Sequence, residues 1–238
     1  MQKINYKVVI YIILFDLKID RDEVLRYLGH NGQVINDDMM NLIDECRKEV
    51  VHIISPRFTY GYKNVKECKE GIEVEGTNLI LKGNDIKNHL KNSTECALMA
   101  VTLGNEIERR TRQYEKTNLT KGLILDACAT TAIEELCDMV ENEIKEYAQK
   151  KNMSITFRYS PGYGDFPLDI QKSFLNVLDA QKKIGLTVSE NYLLFPRKSV
   201  TAVIGIINKN IKIKKKSCEE CNNYENCSFR RKGENCGA

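Results

Sequence analysis

The sequence predicts an α+β fold: a single domain in which helices flank a twisted antiparallel sheet, followed by a cysteine-rich C-terminal tail. Some segments place apolar residues every three or four positions, which is typical of amphipathic helices, and others alternate apolar with polar residues, as strands do. The 238-residue chain shows no internal repeat and no low-complexity linker. Its 42% hydrophobic and 29% charged residues are an ordinary balance for a folded domain.

The first predicted elements lie between the N-terminus and Pro56. The apolar run Val8–Phe15 predicts a buried strand, because its eight residues are too few to cross a bilayer and no small-residue cleavage site follows. The pattern Asp20-x-x-Glu23 predicts the start of a helix that ends at Gly29. A second helix is predicted from residues 36–37 to just before Pro56.

The middle of the chain predicts strands first and long helices afterwards. Alternation from Phe58 to Tyr62 predicts a strand, and two short runs within residues 72–81 flank a turn and predict a hairpin. A short helix over residues 85–91 leads to Cys96–Leu103, an almost unbroken apolar run that predicts a central strand. Two helices are then predicted, over residues 105–118 and 119–150.

The last predicted elements return to alternation at Ser154–Tyr159, which indicates a further strand. After a loop rich in glycine and proline, a helix is predicted from Leu168 to about Ile184. Three short strands complete the domain: Leu186–Ser189, Tyr192–Phe195 and Val200–Ile207. The predicted organisation is therefore a domain over residues 1–208 and a tail over residues 209–238.

The basic excess of the chain lies entirely in the tail. The formal net charge is +3, from 36 Lys+Arg and 33 Asp+Glu. Residues 209–238 hold eight basic and four acidic side chains, a net charge of +4, so residues 1–208 sum to −1. The charge therefore divides the chain into a near-neutral domain and a basic tail.

The nine cysteines also divide by position. Five are scattered singly through predicted helices and strands, where a reduced cysteine acts as a small hydrophobic residue: Cys46, Cys68, Cys96, Cys128 and Cys137. An odd count without a signal peptide predicts a reducing compartment, and hence a cytoplasmic location.

The other four cysteines form the pattern Cys218-x2-Cys221-x5-Cys227-x8-Cys236 in the tail. Four thiolates with a Cys-x2-Cys start suit a zinc ion or an iron–sulfur cluster. Two alternatives stay open: a reduced tail without metal, and cysteines that pair transiently. The preceding lysine run, 209–216, suits nucleic acid phosphates, but a linker or a patch that docks an acidic partner is the preferred interpretation.

The ten residues from Arg158 to Pro167 are the strongest candidate for a ligand site. They hold two prolines, two glycines and three aromatic residues, and Arg158 places a guanidinium at their start. Such a loop lets the backbone approach a ligand and offers flat ring surfaces. By composition alone, a structural turn between a strand and a helix remains the competing interpretation.

The same residues carry a resemblance to a known family. Arg158-Tyr-Ser-Pro-Gly-Tyr163, followed by a helix and by the stretch Leu186–Ala202, resembles the S-adenosylmethionine-binding activation domain of cobalamin-dependent methionine synthase, and in particular its stand-alone members. Upstream segments are similar to the same stand-alone members: Leu25–Gly29, Val101–Gly104 and Ala127–Glu135. The resemblance therefore spans roughly residues 20–208.

The resemblance implies which residues bind S-adenosylmethionine. Arg158 matches the arginine that holds the ligand carboxylate, and a guanidinium fork suits that anion. The turn of Ser160, Pro161, Gly162 and Tyr163 would lie along the adenosyl part, and Glu134 would face the amino group or the sulfonium. Outside the resemblance, Glu134 would be interpreted as a solvated helix residue.

Two departures from the family pattern affect this assignment. The modular enzyme has another acidic ligand residue early in its domain, and neither Asp20 nor Asp22 aligns with it. It also has a tyrosine-bearing strand after the Ser-Val segment, whereas here the chain runs from Ile207 into the tail. No catalytic acid or base is expected, because a sulfonium leaves without one, and the three histidines have no metal or triad spacing.

The implied function is reductive reactivation, in which one electron and the methyl group of S-adenosylmethionine convert cob(II)alamin to methylcobalamin. The protein would serve as an accessory subunit of a cobalamin-dependent methionine synthase, a methyltransferase. The partner would supply the cobalamin, since the chain has no Asp-x-His-x-x-Gly motif, and a flavodoxin-like protein would donate the electron. Two alternatives stay open: a reactivator of another corrinoid methyltransferase, and a metal-stabilised nucleic-acid-binding module built on the tail.

Overall fold

The computed structural model describes residues 6–10 and 17–211 and confirms the α+β class. The four cysteines of the tail lie outside the described residues. The strands are β1 (Tyr6–Ile10), β2 (Arg57–Cys68), β3 (Gly71–Val74), β4 (Ile80–Leu81), β5 (Ser93–Thr102), β6 (Met153–Ile155), β7 (Thr187–Val188), β8 (Leu194–Phe195) and β9 (Ser199–Asn208). The helices are α1 (Arg21–Tyr27), α2 (Asp37–Ile53), α3 (Asn84–Leu90), α4 (Glu106–Thr117), α5 (Leu119–Lys150), α6 (Gln171–Leu178) and α7 (Ala180–Ile184).

One antiparallel sheet organises the domain. Its strand order is β4-β3-β2-β5-β9-β6, and β1 pairs with the first half of β2. β5 lies between β2 and β9, with Ala97 opposite Tyr62 on one side and Ile204 on the other. The prediction of a central strand at Cys96–Leu103 is therefore confirmed. β7 and β8 form a separate two-stranded sheet.

Helices cover both faces of the sheet and create two cores. Ala97, Met99 and Val101 of β5 belong to the core shared with α1, α2, α4 and α5. The residues between them, Cys96, Leu98 and Ala100, belong to a second core with α3, α6 and α7. A strand buried on both faces needs apolar residues at every position, which explains why the run is unbroken rather than alternating.

Side-chain caps fix the ends of the first two helices. The Asp20 carboxylate accepts a hydrogen bond of 3.0 Å from the Glu23 N–H, and Asn36 accepts one of 2.9 Å from the Met39 N–H. Gly29, with φ of 77°, follows the end of α1. These contacts satisfy N–H groups that the helices leave free and confirm both predicted starting points.

The helix predicted over Leu168–Ile184 is not continuous. A 3-10 turn at Leu168–Ile170 leads into α6, and Asp179 then adopts the left-handed conformation with φ of 53° before α7 begins. Aspartate tolerates this region better than most residues, so the sequence needs no glycine there and gives no sign of the break. The break lets both helices bury apolar residues, including Phe174 and Ile184, in the second core.

None of the helices in the described ranges combines the length and the apolar character needed to span a bilayer.

Candidate functional site

A β-bulge follows β6 and separates it from the candidate loop. Ile155 pairs with Ile206, and Tyr159 exchanges two backbone hydrogen bonds, 3.0 and 2.9 Å long, with Val203. The segment from Ile155 to Tyr159 therefore advances four residues while β9, from Ile206 to Val203, advances three. At the bulge the Gly205 N–H donates a 2.8 Å hydrogen bond to the Thr156 hydroxyl. In a regular strand the acceptor would have been a backbone carbonyl. Regular pairing stops at Ile155, so the predicted strand Ser154–Tyr159 is shorter than expected.

The extra residue turns Arg158 toward helix α5. Ile155 packs in the first core, whereas Phe157 and Tyr159 both contact the His89 ring on the opposite face, at centroid distances of 4.6 and 5.0 Å. With strict alternation, Arg158 would share a face with Thr156 rather than with Ile155. Because of the bulge, Arg158 lies instead on the same face as Ile155, and its guanidinium contacts α5.

Three carboxylates of α5 surround the Arg158 guanidinium. Nη1 donates to Asp138 Oδ1 at 2.5 Å and to Glu141 Oε2 at 2.8 Å, and Nη2 donates to Glu134 Oε2 at 3.3 Å. The arginine side chain is 19% exposed. Burial alone would lower the pKa of Arg158, but neighbouring Cys137, together with the Asp138 and Glu141 carboxylates, raises it above the ordinary value.

The acidic side of this cluster exceeds the basic side. One guanidinium and three carboxylates give the four side chains a formal charge of −2. Burial raises the pKa of neighbouring Glu135, and the charge of Asp138 raises it further. A ligand that carries both a carboxylate and positive charge suits such a site, since the guanidinium and the carboxylates each find an opposite charge.

Arg158 and Glu134 were predicted from the resemblance, and the structure places them in contact, whereas Asp138 and Glu141 were not predicted. Their spacing from Glu134 is four and seven residues, so the three carboxylates lie on one side of α5. That spacing was visible in the sequence and could have identified them.

The loop after Arg158 begins with a tight turn. Tyr163 N–H donates to Ser160 C=O at 3.1 Å, with Pro161 and Gly162 at the two central positions. Gly162 has φ of 96°, as the third position of a type II turn requires. Tyr163 is 56% exposed, and its ring lies edge-on to the ring of Tyr159 at a centroid distance of 6.1 Å.

The far side of the loop is fixed to the N-terminus of α3. The Asp165 carboxylate accepts hydrogen bonds from the Asp85 and Asn84 N–H groups at 2.9 and 2.6 Å, and Asp85 Oδ2 accepts one of 3.1 Å from the Asp165 N–H. These donors hold the pKa of the Asp165 carboxyl below its usual value. The loop is therefore braced at its end as well as at its start, a contact that the sequence did not indicate.

The edge of β9 that faces away from β5 runs alongside the loop. Val203 exchanges its backbone hydrogen bonds with Tyr159, and Thr201, two residues earlier, directs its N–H and C=O toward the same edge. No described residue continues the ladder at Thr201. Just beyond it, Lys198 Nζ contacts Thr130 Oγ1 of α5 at 2.7 Å. This edge thus lies between the contacts that Arg158 and Lys198 make with α5, and Thr201 on it is buried, with 2% exposure.

Other polar candidates have structural roles. The Asp20 carboxylate caps α1, as described above, although its charge also acts on Glu135. The His89 imidazole contacts the Thr156 hydroxyl at 2.9 Å, and His52 contacts the Lys48 carbonyl at 2.7 Å. Within residues 17–211 no group of three or more His, Cys, Asp or Glu side chains is arranged to hold a metal ion.

A cavity of about 260 Å³ opens elsewhere, between β2, β3 and α3. Its lining includes Lys66, Lys87 and Lys91 but none of the predicted site residues. Lys66 and Lys91 are exposed. Arg158, by contrast, is 19% exposed and contacts three carboxylates of α5, and we place the candidate site there.

Comparisons with known proteins point to one family. A family model described as "Vitamin B12 dependent methionine synthase, activation domain" matches residues 81–226, more than half of the chain. A solved structure, the MetH reactivation domain bound to AdoHcy, has the same fold with a TM-score of 0.66 and 15% sequence identity. That alignment covers 90% of this chain and 81% of the other. A search by sequence among curated proteins gives no match.

Proposed function

The chain belongs to the family of the vitamin B12 dependent methionine synthase activation domain, and on that basis we propose that it is an S-adenosylmethionine-binding activation subunit. It would act in trans on a cobalamin-dependent methionine synthase. The single observation that carries this proposal is the pairing of Arg158 with Glu134 beside the Ser160–Tyr163 turn. The solved reactivation domain with the same fold holds AdoHcy, which is what S-adenosylmethionine becomes after it gives up its methyl group.

The residues at the site match the chemical groups of this ligand. Arg158 would bind the carboxylate, and Glu134 would bind the ammonium group or face the sulfonium. The backbone of Pro161 and Gly162 and the ring of Tyr163 would lie along the adenosyl group, with Ser160 closing the turn. No side chain has to transfer a proton, because the sulfonium is already an activated leaving group. The task of the chain is to orient the methyl group.

The proposed reaction is the reductive methylation of cob(II)alamin. One electron from a donor and the methyl group of S-adenosylmethionine convert it to methylcobalamin and release S-adenosylhomocysteine. A partner methionine synthase would hold the cobalamin, and a flavodoxin-like protein is the proposed electron donor. The chain contributes the bound methyl donor and a docking surface, which makes it an accessory subunit rather than an enzyme that works alone.

A reconstituted reaction tests this proposal. Methionine synthase lacking an activation domain, with its cofactor oxidised to cob(II)alamin, would be mixed with this protein, S-adenosylmethionine and a reductant. We expect the absorption spectrum of methylcobalamin to appear only when all components are present. Formation of methylcobalamin at the same rate without this protein would contradict the proposal. Turnover of a different corrinoid methyltransferase, with none on methionine synthase, would reassign the partner.

We further propose that residues 209–238 form a separate tail in which Cys218, Cys221, Cys227 and Cys236 bind a metal. The support is the spacing of the cysteines alone. Metal analysis and an absorption spectrum of protein purified without oxygen test this directly. Zinc or iron near one site per chain is expected, with loss of the metal when the first pair is changed to serine; metal-free protein would contradict the assignment.

A further inference from the structure

The two ends of the Arg158 guanidinium are held unequally. Two carboxylates accept from Nη1 at 2.5 and 2.8 Å, whereas Nη2 has one contact of 3.3 Å, with Glu134. Short contacts between charged groups are the stronger ones. Asp138 and Glu141 therefore make the stronger interactions with Arg158, and Glu134 makes the weaker one.

Because the carboxylates bind mainly Nη1, specific N–H donors of Arg158 remain for a ligand. A guanidinium has five N–H groups, and Nη1 carries two of them, one for each of its carboxylates. The remaining donors are on Nη2 and Nε, and within residues 17–211 no side chain accepts from Nε. The Nε and Nη2 N–H groups lie side by side and match the two oxygens of a carboxylate.

Helix α5 makes the two strong acceptors a rigid support. Asp138 and Glu141 are three residues apart, so they project from successive turns on the same side. Their neighbours Cys137 and Val140 are fully buried in the first core and fix the rotation of the helix about its axis. The two shorter contacts of the guanidinium with α5 are thus both made by Nη1, and the longer contact with Glu134 is made by Nη2.

We propose that Asp138 and Glu141 are positioning residues that hold Arg158 so that its Nε–Nη2 edge receives the carboxylate of S-adenosylmethionine. When the ligand binds, Glu134 gives up its contact with Arg158 and binds the positively charged groups of the same ligand instead. Asp138 and Glu141 do not touch the ligand; they act through the arginine. This inference rests on the proposed function and adds to it two residues outside the matched Arg158–Tyr163 segment.

Binding to three ligands tests the inference in the full-length protein. Calorimetric titration would compare wild type, Asp138→Asn, Glu141→Gln and their double variant with S-adenosylmethionine, S-adenosylhomocysteine and methylthioadenosine. The last ligand lacks the amino-acid part. Glu146→Gln is the matched control, because Glu146 is an exposed residue of the same helix and its change removes the same charge.

The expected result is a loss of about tenfold or more in affinity for both amino-acid ligands in the double variant, the effect of losing one charge-assisted hydrogen bond. Methylthioadenosine binding and the Glu146→Gln variant should be unchanged. Unchanged or tighter binding of S-adenosylmethionine would overturn the inference. An equal loss of affinity for methylthioadenosine would also overturn it, because that result indicates a general structural role for the two residues. So would a larger loss for S-adenosylmethionine than for S-adenosylhomocysteine, because that result indicates that the negative charge of the site as a whole attracts the sulfonium. Absence of binding to wild-type protein would instead refute the proposed function.

Discussion

At the scale of single residues, backbone conformations hold the candidate loop in place. Gly164 has φ of 53° in the turn that follows Tyr163. A Cβ atom at this position would collide with Oδ2 of Asp85 and would lie 2.8 Å from the Tyr159 hydroxyl oxygen. Glycine meets both conditions, because it tolerates positive φ and leaves the space empty. With any other residue, the Asp85 carboxylate and the Tyr159 hydroxyl would have to move away.

We predict that Gly164→Ala lowers the free energy of unfolding by about 2–4 kcal/mol, from strain at positive φ together with the collision. Gly76→Ala is the matched control, because Gly76 has φ of 71° and no atom within 4 Å of the added Cβ. Its cost should be only about 1 kcal/mol. Denaturant unfolding measures both values, and equal losses in the two variants would show that the collision is relieved without cost.

At the scale of elements, the interaction of Asp165 with α3 replaces a side-chain cap that the helix lacks. The residue before α3 is Gly83, which offers no side chain, and Asp165 supplies the missing acceptor from 80 residues away in sequence. The cap joins the loop to α3, so disruption of the loop would destabilise the first turn of the helix, and the reverse also holds.

The cap predicts a pH-dependent contribution to stability. Because the Asp85 and Asn84 N–H groups lower the pKa of Asp165 in the folded state, its contribution is present above the ordinary aspartate value of about 3.9. It is lost as the pH falls through the lower folded value. Asp165→Asn should therefore be less stable than wild type at pH 7, and the difference should shrink toward pH 2. A difference independent of pH would refute the role of the charge.

Some elements could be predicted closely from the sequence and others could not, for physical reasons. α5 was predicted with its observed bounds, because its apolar stripe is long and Asn118 caps it. The bulge after Ile155 was not predicted, since an inserted residue leaves the local composition unchanged. The Asp165 cap was missed because it joins segments far apart in the chain. Arg158 and Glu134 were predicted as site residues by resemblance alone, and Asp138 and Glu141 follow from the helical spacing within α5.

At the scale of the whole molecule, the two cores on either side of the sheet account for the scattered cysteines. Four of these five are buried, and Cys68 at the end of β2 is partly exposed. Burial raises the pKa of the Cys96 and Cys128 thiols to about 12. These thiols fill space in the cores and are almost entirely protonated at neutral pH.

We predict that brief treatment of the native protein with iodoacetamide at pH 8 modifies Cys68 well before the buried thiols. Peptide mass spectrometry after digestion would report the extent at each cysteine. The same treatment in denaturant should modify all of them equally, which controls for reagent access. Rapid native labelling of Cys96 or Cys128 would show that the cores open more readily than their packing indicates.

The central claim is that Arg158 binds the carboxylate of S-adenosylmethionine, and calorimetric titration of wild-type and Arg158→Ala protein tests it most directly. We predict saturable binding of one S-adenosylmethionine per wild-type chain and a loss of affinity of about 10–100-fold in the variant, as expected when a charge-assisted carboxylate contact is removed. No binding by the wild-type protein, or equal binding by the two proteins, would contradict the account.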